Sequence, residues 1–135
     1  MILVDSSVLI DHFRGTLNPQ TQQLKRWLSG QDGPPDIGVA DLVVFEVVRG
    51  FSTAKAQAQV CDLLLAMEVV EIGGLENALH AATLYQRLRQ SGRTVRSPID
   101  VLLASYCMSH GHTLLHRDAD FESLQTLGGL DTWPQ

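Results

Sequence analysis

The chain opens on a short apolar run, Ile2-Leu3-Val4, that closes on Asp5-Ser6-Ser7. Val8, Leu9, His12 and Phe13 then recur at helical spacing, so the pattern predicts a strand feeding a helix. Pro19 to Leu28 reads as a second helix stopped by Ser29-Gly30, and Gln31–Asp36, with Gly33-Pro34-Pro35, reads as a loop. Ile37–Ala40 is a second strand, and Asp41 stands where it can cap a helix from Leu42 to Arg49. Thr53 is placed to cap a longer helix through Met67, followed by a third strand at Val69–Ile72. Leu75–Gln90 is helical. Ser97-Pro98 opens a further helix to about Ser109, with Ser as cap and Pro at the first helical position. Thr113–Leu115 is a fourth strand, Asp118-Ala119-Asp120-Phe121 leads into a short helix, and the tail offers a fifth strand near Leu130.

Short apolar strands alternating with helices of ten or more residues indicate an α/β fold. The expected form is a three-layer α/β/α arrangement around a mostly parallel sheet of four to five strands. At 135 residues, with no repeat, low-complexity stretch or linker, residues 1–135 read as a single domain. In such a sheet, ligands sit at the carboxyl ends of the strands.

No apolar run is long enough to cross a membrane, and the N-terminus lacks the basic start and long apolar core of a secretory signal. Cys61 and Cys107 lie among apolar neighbours and read as buried thiols of a cytoplasmic protein. The formal charge of −5 argues against binding nucleic acid by bulk attraction. Its distribution changes the picture. Asp outnumbers Glu ten to five although surface helices favour Glu, which points to caps, turns or ligand positions.

Asp5 falls at the carboxyl end of the first strand. Asp118 and Asp120 follow the fourth, where they read as a turn pair or as ligands. Glu46 stands in the apolar run Leu42–Val48, either as a functional carboxylate or as a solvated side chain paired with Arg49. Asp100 completes Ser97-x-x-Asp100, so it is either part of a capping box or a ligand at a helix N-terminus. If these acids meet, two unit charges ~4 Å apart repel by ~4 kcal/mol at an effective dielectric of 20. A divalent cation relieves that repulsion, and an all-oxygen set selects Mg²⁺ or Mn²⁺ over zinc. The chemistry such clusters suit is attack of metal-activated water on a phosphodiester.

Four stretches in order then resemble the PIN-domain ribonucleases, specifically VapC-type toxins of toxin–antitoxin pairs. They are Ile2-Leu3-Val4-Asp5-Ser6-Ser7-Val8, Phe45-Glu46-Val47-Val48-Arg49-Gly50, Arg96-Ser97-Pro98-Ile99-Asp100-Val101-Leu102-Leu103-Ala104 and Leu114-Leu115-His116-Arg117-Asp118-Ala119-Asp120-Phe121. The resemblance implies that Asp5, Glu46, Asp100 and Asp118 form a catalytic metal site for Mg²⁺ or Mn²⁺, with Asp120 in or beside it. It implies that Ser6 serves beside the first Asp. It further implies five parallel strands, homodimerisation, an RNA substrate cut to a 5′-phosphate and a 3′-hydroxyl, and a VapB-type antitoxin whose tail enters the acidic cleft. His116 departs from the pattern, since many relatives carry Thr or Ser there; it is either a substrate contact or a strand-end His.

Arg87, Arg89, Arg93 and Arg96 place four of the ten basic residues in ten positions free of acids. They form either a phosphate-guiding rim, with Arg93 and Arg96 nearest Asp100, or a solvated helix end. The histidines and cysteines lack zinc spacing, and Gly-rich phosphate loops and a G-x-S-x-G elbow are absent. A flavodoxin-like phosphoacceptor would need a late-strand lysine, whereas the lysines are Lys25 and Lys55 in early helices. A binding module whose acids merely cap helices is the remaining alternative. The apolar face Val60, Leu63, Leu64, Met67 suits either the core or a dimer contact.

Overall fold

A computed structural model describes residues 1–33 and 36–134. The loop reading at Pro34 and Pro35 therefore lies outside the described residues. Among the described residues five strands alternate with seven helices: β1 Ile2–Val4, α1 Ser6–Phe13, α2 Pro19–Ser29, β2 Ile37–Ala40, α3 Asp41–Arg49, α4 Ala54–Leu65, β3 Glu68–Val70, α5 Leu75–Gln90, α6 Pro98–His110, β4 Thr113–Leu115, α7 Asp120–Gly128 and β5 Thr132–Trp133. The strands form one sheet in the order β3-β2-β1-β4-β5, every pair parallel. This is the three-layer α/β/α fold expected from the alternation of elements.

The three inner strands carry continuous apolar runs because helices cover both faces. Leu3, Val4, Val39, Ala40, Leu114 and Leu115 are fully buried. Gly38 lies where β2 crosses close neighbours; a Cβ there would stand 2.9 Å from the Glu68 carbonyl oxygen and 2.7 Å from the Met1 sulfur. Helix α6 ends at Gly111, whose φ of 69° is the left-handed conformation that stops a helix.

Local differences from the sequence reading have local causes. The helix capped by Thr53 does form, its Oγ1 accepting from Ala56 N at 3.1 Å, but it ends at Leu65. The Ala66 N–H folds back onto the Leu63 and Leu64 carbonyls, so β3 starts one residue earlier than expected. Asp41 is the first residue of α3 rather than its cap; its Oδ1 accepts from Leu42 N at 2.9 Å and from Ile72 N at 3.0 Å. It thus ties the chain after β3 to the start of α3. Ser97 stands at the N-cap of α6 but makes no side-chain capping bond, so the capping box proposed for Ser97 and Asp100 does not form. The fifth strand lies two residues beyond Leu130, which is itself buried. Cys107 is buried as expected, while Cys61 is only half-buried.

Candidate metal centre

In the order 3-2-1-4-5, successive connections run outward in opposite directions from β1, so the crevice between β1 and β4 is the topological switch point of the sheet. Asp5 stands on one side of it. Its backbone N–H donates to the Leu115 carbonyl at 2.9 Å, which fixes the end of β1 to the end of β4. Its carboxylate caps α1, with Oδ2 accepting from Ser7 N at 3.1 Å and from the Ser7 hydroxyl at 2.6 Å. Oδ1 has no partner although it is buried.

Asp118 and Asp120 arrive from the other side, in the turn after β4. The Asp118 N–H donates to His116 Nδ1 at 3.2 Å, and Asp118 Oδ1 accepts from Asp120 N at 3.0 Å. Asp100, in the first turn of α6, faces both. One carboxylate oxygen each from Asp100, Asp118 and Asp120 falls within 4.8 Å of the others. Asp120 is therefore a full member of the tightest group among the described residues. Asp5 and Glu46 stand outside that spacing but close enough to act on it electrostatically.

The charges show the cost of assembling these acids without a cation. Burial, then the repulsion of Asp5, Asp118, Glu46 and Asp120, pushes the Asp100 carboxyl from its ordinary 3.8 up to about 8. Burial raises Asp5 as well, with Asp118 adding to it, against the lowering by its hydrogen bonds from Ser7 and Ser6. Glu46 is also raised, by burial first and by Asp5 second. Its Oε1 is buried without a partner. Arg49 makes no ion pair with it and lies over the exposed Phe45 ring, 5.1 Å from the centroid, lowering the Glu46 pKa only through space; Glu46 itself is half-buried, one oxygen enclosed and the side chain still partly solvated. Ser6 stands between the two acids: its N–H favours the charged form of Asp5 and its hydroxyl that of Glu46.

Two buried carboxylate oxygens without partners and a triad of converging acids are what a hard cation would satisfy. The donors are all oxygen, so the set fits a divalent metal ion bound through carboxylates.

Other expected site residues take other places. His116 uses Nδ1 to hold the Asp118 N–H and packs its ring 4.8 Å from that of Phe121. Burial lowers its pKa, consistent with a neutral acceptor. Arg96, though largely exposed, reaches Asp120, with Nε 3.6 Å and backbone N 3.4 Å from Oδ2. Arg93 is half-buried and donates to the Ser123 carbonyl of α7 at 3.1 Å. Arg89 turns toward Tyr85, donating to its hydroxyl at 3.2 Å.

Sequence reasoning passed over Ser7, whose hydroxyl both donates to Asp5 and accepts from Arg117 N at 3.1 Å. Its place two residues after a capping Asp is the signal that could have found it. Arg117 in turn reaches Asp11 at 2.7 Å, and Asn18 donates to the same oxygen at 3.1 Å, bracing α1 against the turn that carries Asp118.

Comparison with known proteins places this geometry. The model of the PIN domain family matches residues 2–127. Over 130 residues the chain is 28% identical to VapC ribonuclease Mb1587 of Mycobacterium bovis and to Ribonuclease VapC11 of Mycobacterium tuberculosis, covering 96% of each chain in both cases. Among solved structures it resembles VapBC2 from Rickettsia felis bound to a promoter DNA fragment. That match has a TM-score of 0.75 at 16% identity and covers 98% of this chain and 97% of the other. VapBC from Salmonella typhimurium bound to DNA matches with a TM-score of 0.73 at 16% identity, covering 97% and 95%. At these identities the structural matches speak to the fold.

Proposed function

Because the chain belongs to the PIN domain family, we propose that it is a divalent-metal-dependent endoribonuclease, the toxin of a VapBC-type pair. The observation that carries this reading is the convergence of Asp100, Asp118 and Asp120 at the β1/β4 crevice, with Asp5 and Glu46 close enough to help drive the Asp100 carboxyl to about 8. Asp5, Glu46, Asp100 and Asp118 are the catalytic acids, and with Asp120 they hold Mg²⁺ or Mn²⁺. When bound, such an ion supplies a more acidic water and stabilises negative charge on the phosphate in the transition state.

The chain's own residues do the positioning. Asp5 is held by Ser7 and by the backbone bond to Leu115, so its unpaired Oδ1 keeps one direction. The His116–Asp118–Asp120 turn aims two carboxylates from one rigid loop. Ser6, between Asp5 and Glu46, favours the charged form of each against the burial that raises both. Arg96, exposed beside Asp120, is placed to meet a substrate phosphate at this edge of the site. Arg93 supports the same edge through α7 while presenting its charge to the polyanion.

The partners that follow are an RNA substrate and a VapB-type antitoxin, in the cytoplasm. Among the described residues no helix is long and apolar enough to cross a membrane. The test is RNA cleavage with Mg²⁺ or Mn²⁺ by the wild type and by Asp5→Asn. Cleavage by the wild type, lost in the variant and in EDTA, is the expected result; equal cleavage by both, or cleavage that survives EDTA, overturns the site.

A further inference from the structure

Helix α3 uses its apolar residues unequally. Val43 and Val47 are fully buried, and Leu42, Val44 and Val48 pack partly against the core, while Phe45 stands 56% exposed. Phe carries more apolar surface than any of these neighbours, so burying it would have been the larger gain for folding. The fold leaves that ring in water.

The place of the ring is equally specific. Phe45 directly precedes Glu46, an acid of the proposed metal centre, and the Arg49 guanidinium lies over its ring at 5.1 Å from the centroid. The same guanidinium acts through space on the Glu46 carboxylate, so ring, cation and acid are neighbours on one side of α3. The ion pairs among the described residues do not include Arg49. Its charge is held by an aromatic face in place of a carboxylate.

We propose that Phe45, backed by Arg49, is the platform on which a base of single-stranded RNA stacks beside the phosphate held at the acids. The subsite presupposes the ribonuclease reading above and adds to it the place of a base. The acids and their cation address the phosphate, which is the same in every nucleotide, so a base needs a holder of its own. Single-stranded RNA is gripped through unstacked bases laid on aromatic rings and guanidinium planes, and α3 offers both at one point.

Charge selects a nucleotide over an apolar protein side chain as the occupant. An apolar side chain would cover the ring but desolvate the guanidinium without giving it a counter-charge. A nucleotide brings a π face for the ring and a phosphate for the cation. The two edges of the centre then differ. Arg96 stands beside Asp120 and meets backbone, whereas the Glu46 edge adds an exposed ring to its arginine and meets a base as well. Because every base has a π face, this subsite fixes the position of the strand while tolerating its sequence.

The experiment is binding of a labelled short single-stranded RNA of mixed sequence to the full chain, read by fluorescence anisotropy. Ca²⁺ replaces Mg²⁺, and a gel confirms that the RNA stays whole. Phe45→Leu keeps the apolar character and removes the π face; it should bind the RNA about tenfold more weakly, with its melting curve and its Mn²⁺ affinity unchanged. Phe45→Trp should bind at least as tightly as the wild type, and RNA should quench its fluorescence beyond the signal of Trp27 and Trp133. Removing the base at each RNA position in turn should reveal one position where the loss weakens the wild type and leaves Phe45→Leu unaffected. Arg49→Gln should lower the log–log salt slope by about 0.7, the share of one phosphate on a single strand. Equal RNA binding by Phe45→Leu and the wild type, a Phe45→Trp no tighter than Phe45→Leu, or the lack of such a position overturns the subsite. If the wild type still cleaves RNA in Mg²⁺, the ribonuclease reading survives that result; a wild type that neither binds nor cleaves RNA fails both. A weakened Mn²⁺ site in Phe45→Leu would make the ring a support for Glu46 and overturn the subsite. Loss of a protein partner with RNA binding intact would overturn it too, in favour of a protein contact.

Discussion

Replacing Asp100 by asparagine separates the electrostatic strain of the metal centre from its chemistry. Asp100 is buried, makes no capping bond with Ser97, and has its carboxyl pushed to about 8 by burial and four neighbouring acids. Without a cation, folded Asp100 keeps its proton until about pH 8, while in the unfolded chain it releases it near 4. Between those values the unfolded state binds fewer protons, so this residue's contribution to stability is full below about pH 4 and is lost as the pH rises to about 8. At about 1.4 kcal/mol per pH unit the ceiling is about 5 kcal/mol at pH 8. Proton sharing within the cluster and water reaching Asp118 and Asp120 bring the expected effect to about 2 kcal/mol. Asn is nearly isosteric and does not titrate. In EDTA at pH 8, Asp100→Asn should therefore melt higher than the wild type by about 7 °C, at ~2.1 cal/mol/K of unfolding entropy per residue. At pH 5 the gain should shrink to about a third. Adding Mn²⁺ should reverse the order, because the wild type gains binding energy that the variant has lost. Scanning calorimetry at pH 5 and 8, with EDTA and with Mn²⁺, reads all four values. A variant no more stable than the wild type at pH 8, or a gain indifferent to pH, would refute the claim that the acids of this crevice strain one another.

Further predictions concern the groups around the acids. Ser7→Ala removes both the 2.6 Å bond to Asp5 and the acceptor for the Arg117 N–H. It should lose about 1–3 kcal/mol in urea denaturation and weaken Mn²⁺ binding. His116→Ala frees the Asp118 N–H and should lower metal affinity about tenfold by calorimetry, whereas His116→Thr, which restores a local acceptor, should recover most of it. Arg93→Ala with Arg96→Ala should flatten the salt dependence of RNA binding by up to about 1.4 in the log–log slope, one phosphate each, in fluorescence anisotropy. An unchanged slope would assign both arginines to structure. Gly38→Ala forces a Cβ to within 2.9 Å of the Glu68 carbonyl oxygen. It should cost about 2 kcal/mol or more by thermal melting, with the loss in β2 rather than at the acids.

Much of the fold is legible in local pattern. Residues 2–4 and 37–40, and Leu114-Leu115 in β4, are apolar because both faces of an inner parallel strand are covered, and the α/β alternation follows from that. The acids at the ends of β1 and β4 could be placed from the rule that strands of one parallel sheet end on one edge. Asp100 could not, because Ser97-x-x-Asp100 satisfies a capping box and a metal centre equally well on paper. Only in three dimensions does Ser97 make no side-chain bond while Asp100 meets Asp118 and Asp120 within 4.8 Å. His116 and Arg93 show the same limit from the other side: one holds a turn and the other a helix carbonyl, contacts fixed by the approach of α7 and the β4 loop.

The sequence by itself determined which segments are strands and which are helices, since burial periodicity is a property of each segment, while the strand order came from the tertiary structure. The tertiary structure decided what the charged residues do. A carboxylate's role depends on the distance to other charges and on the water it has lost, and both are set by chain segments far away in sequence. Leu79 belongs with them. At i+4 from Leu75 it stands at an apolar position of its helix, and only the packing of α5 against the body of the protein, which buries Ala81 and Leu84, leaves it facing water.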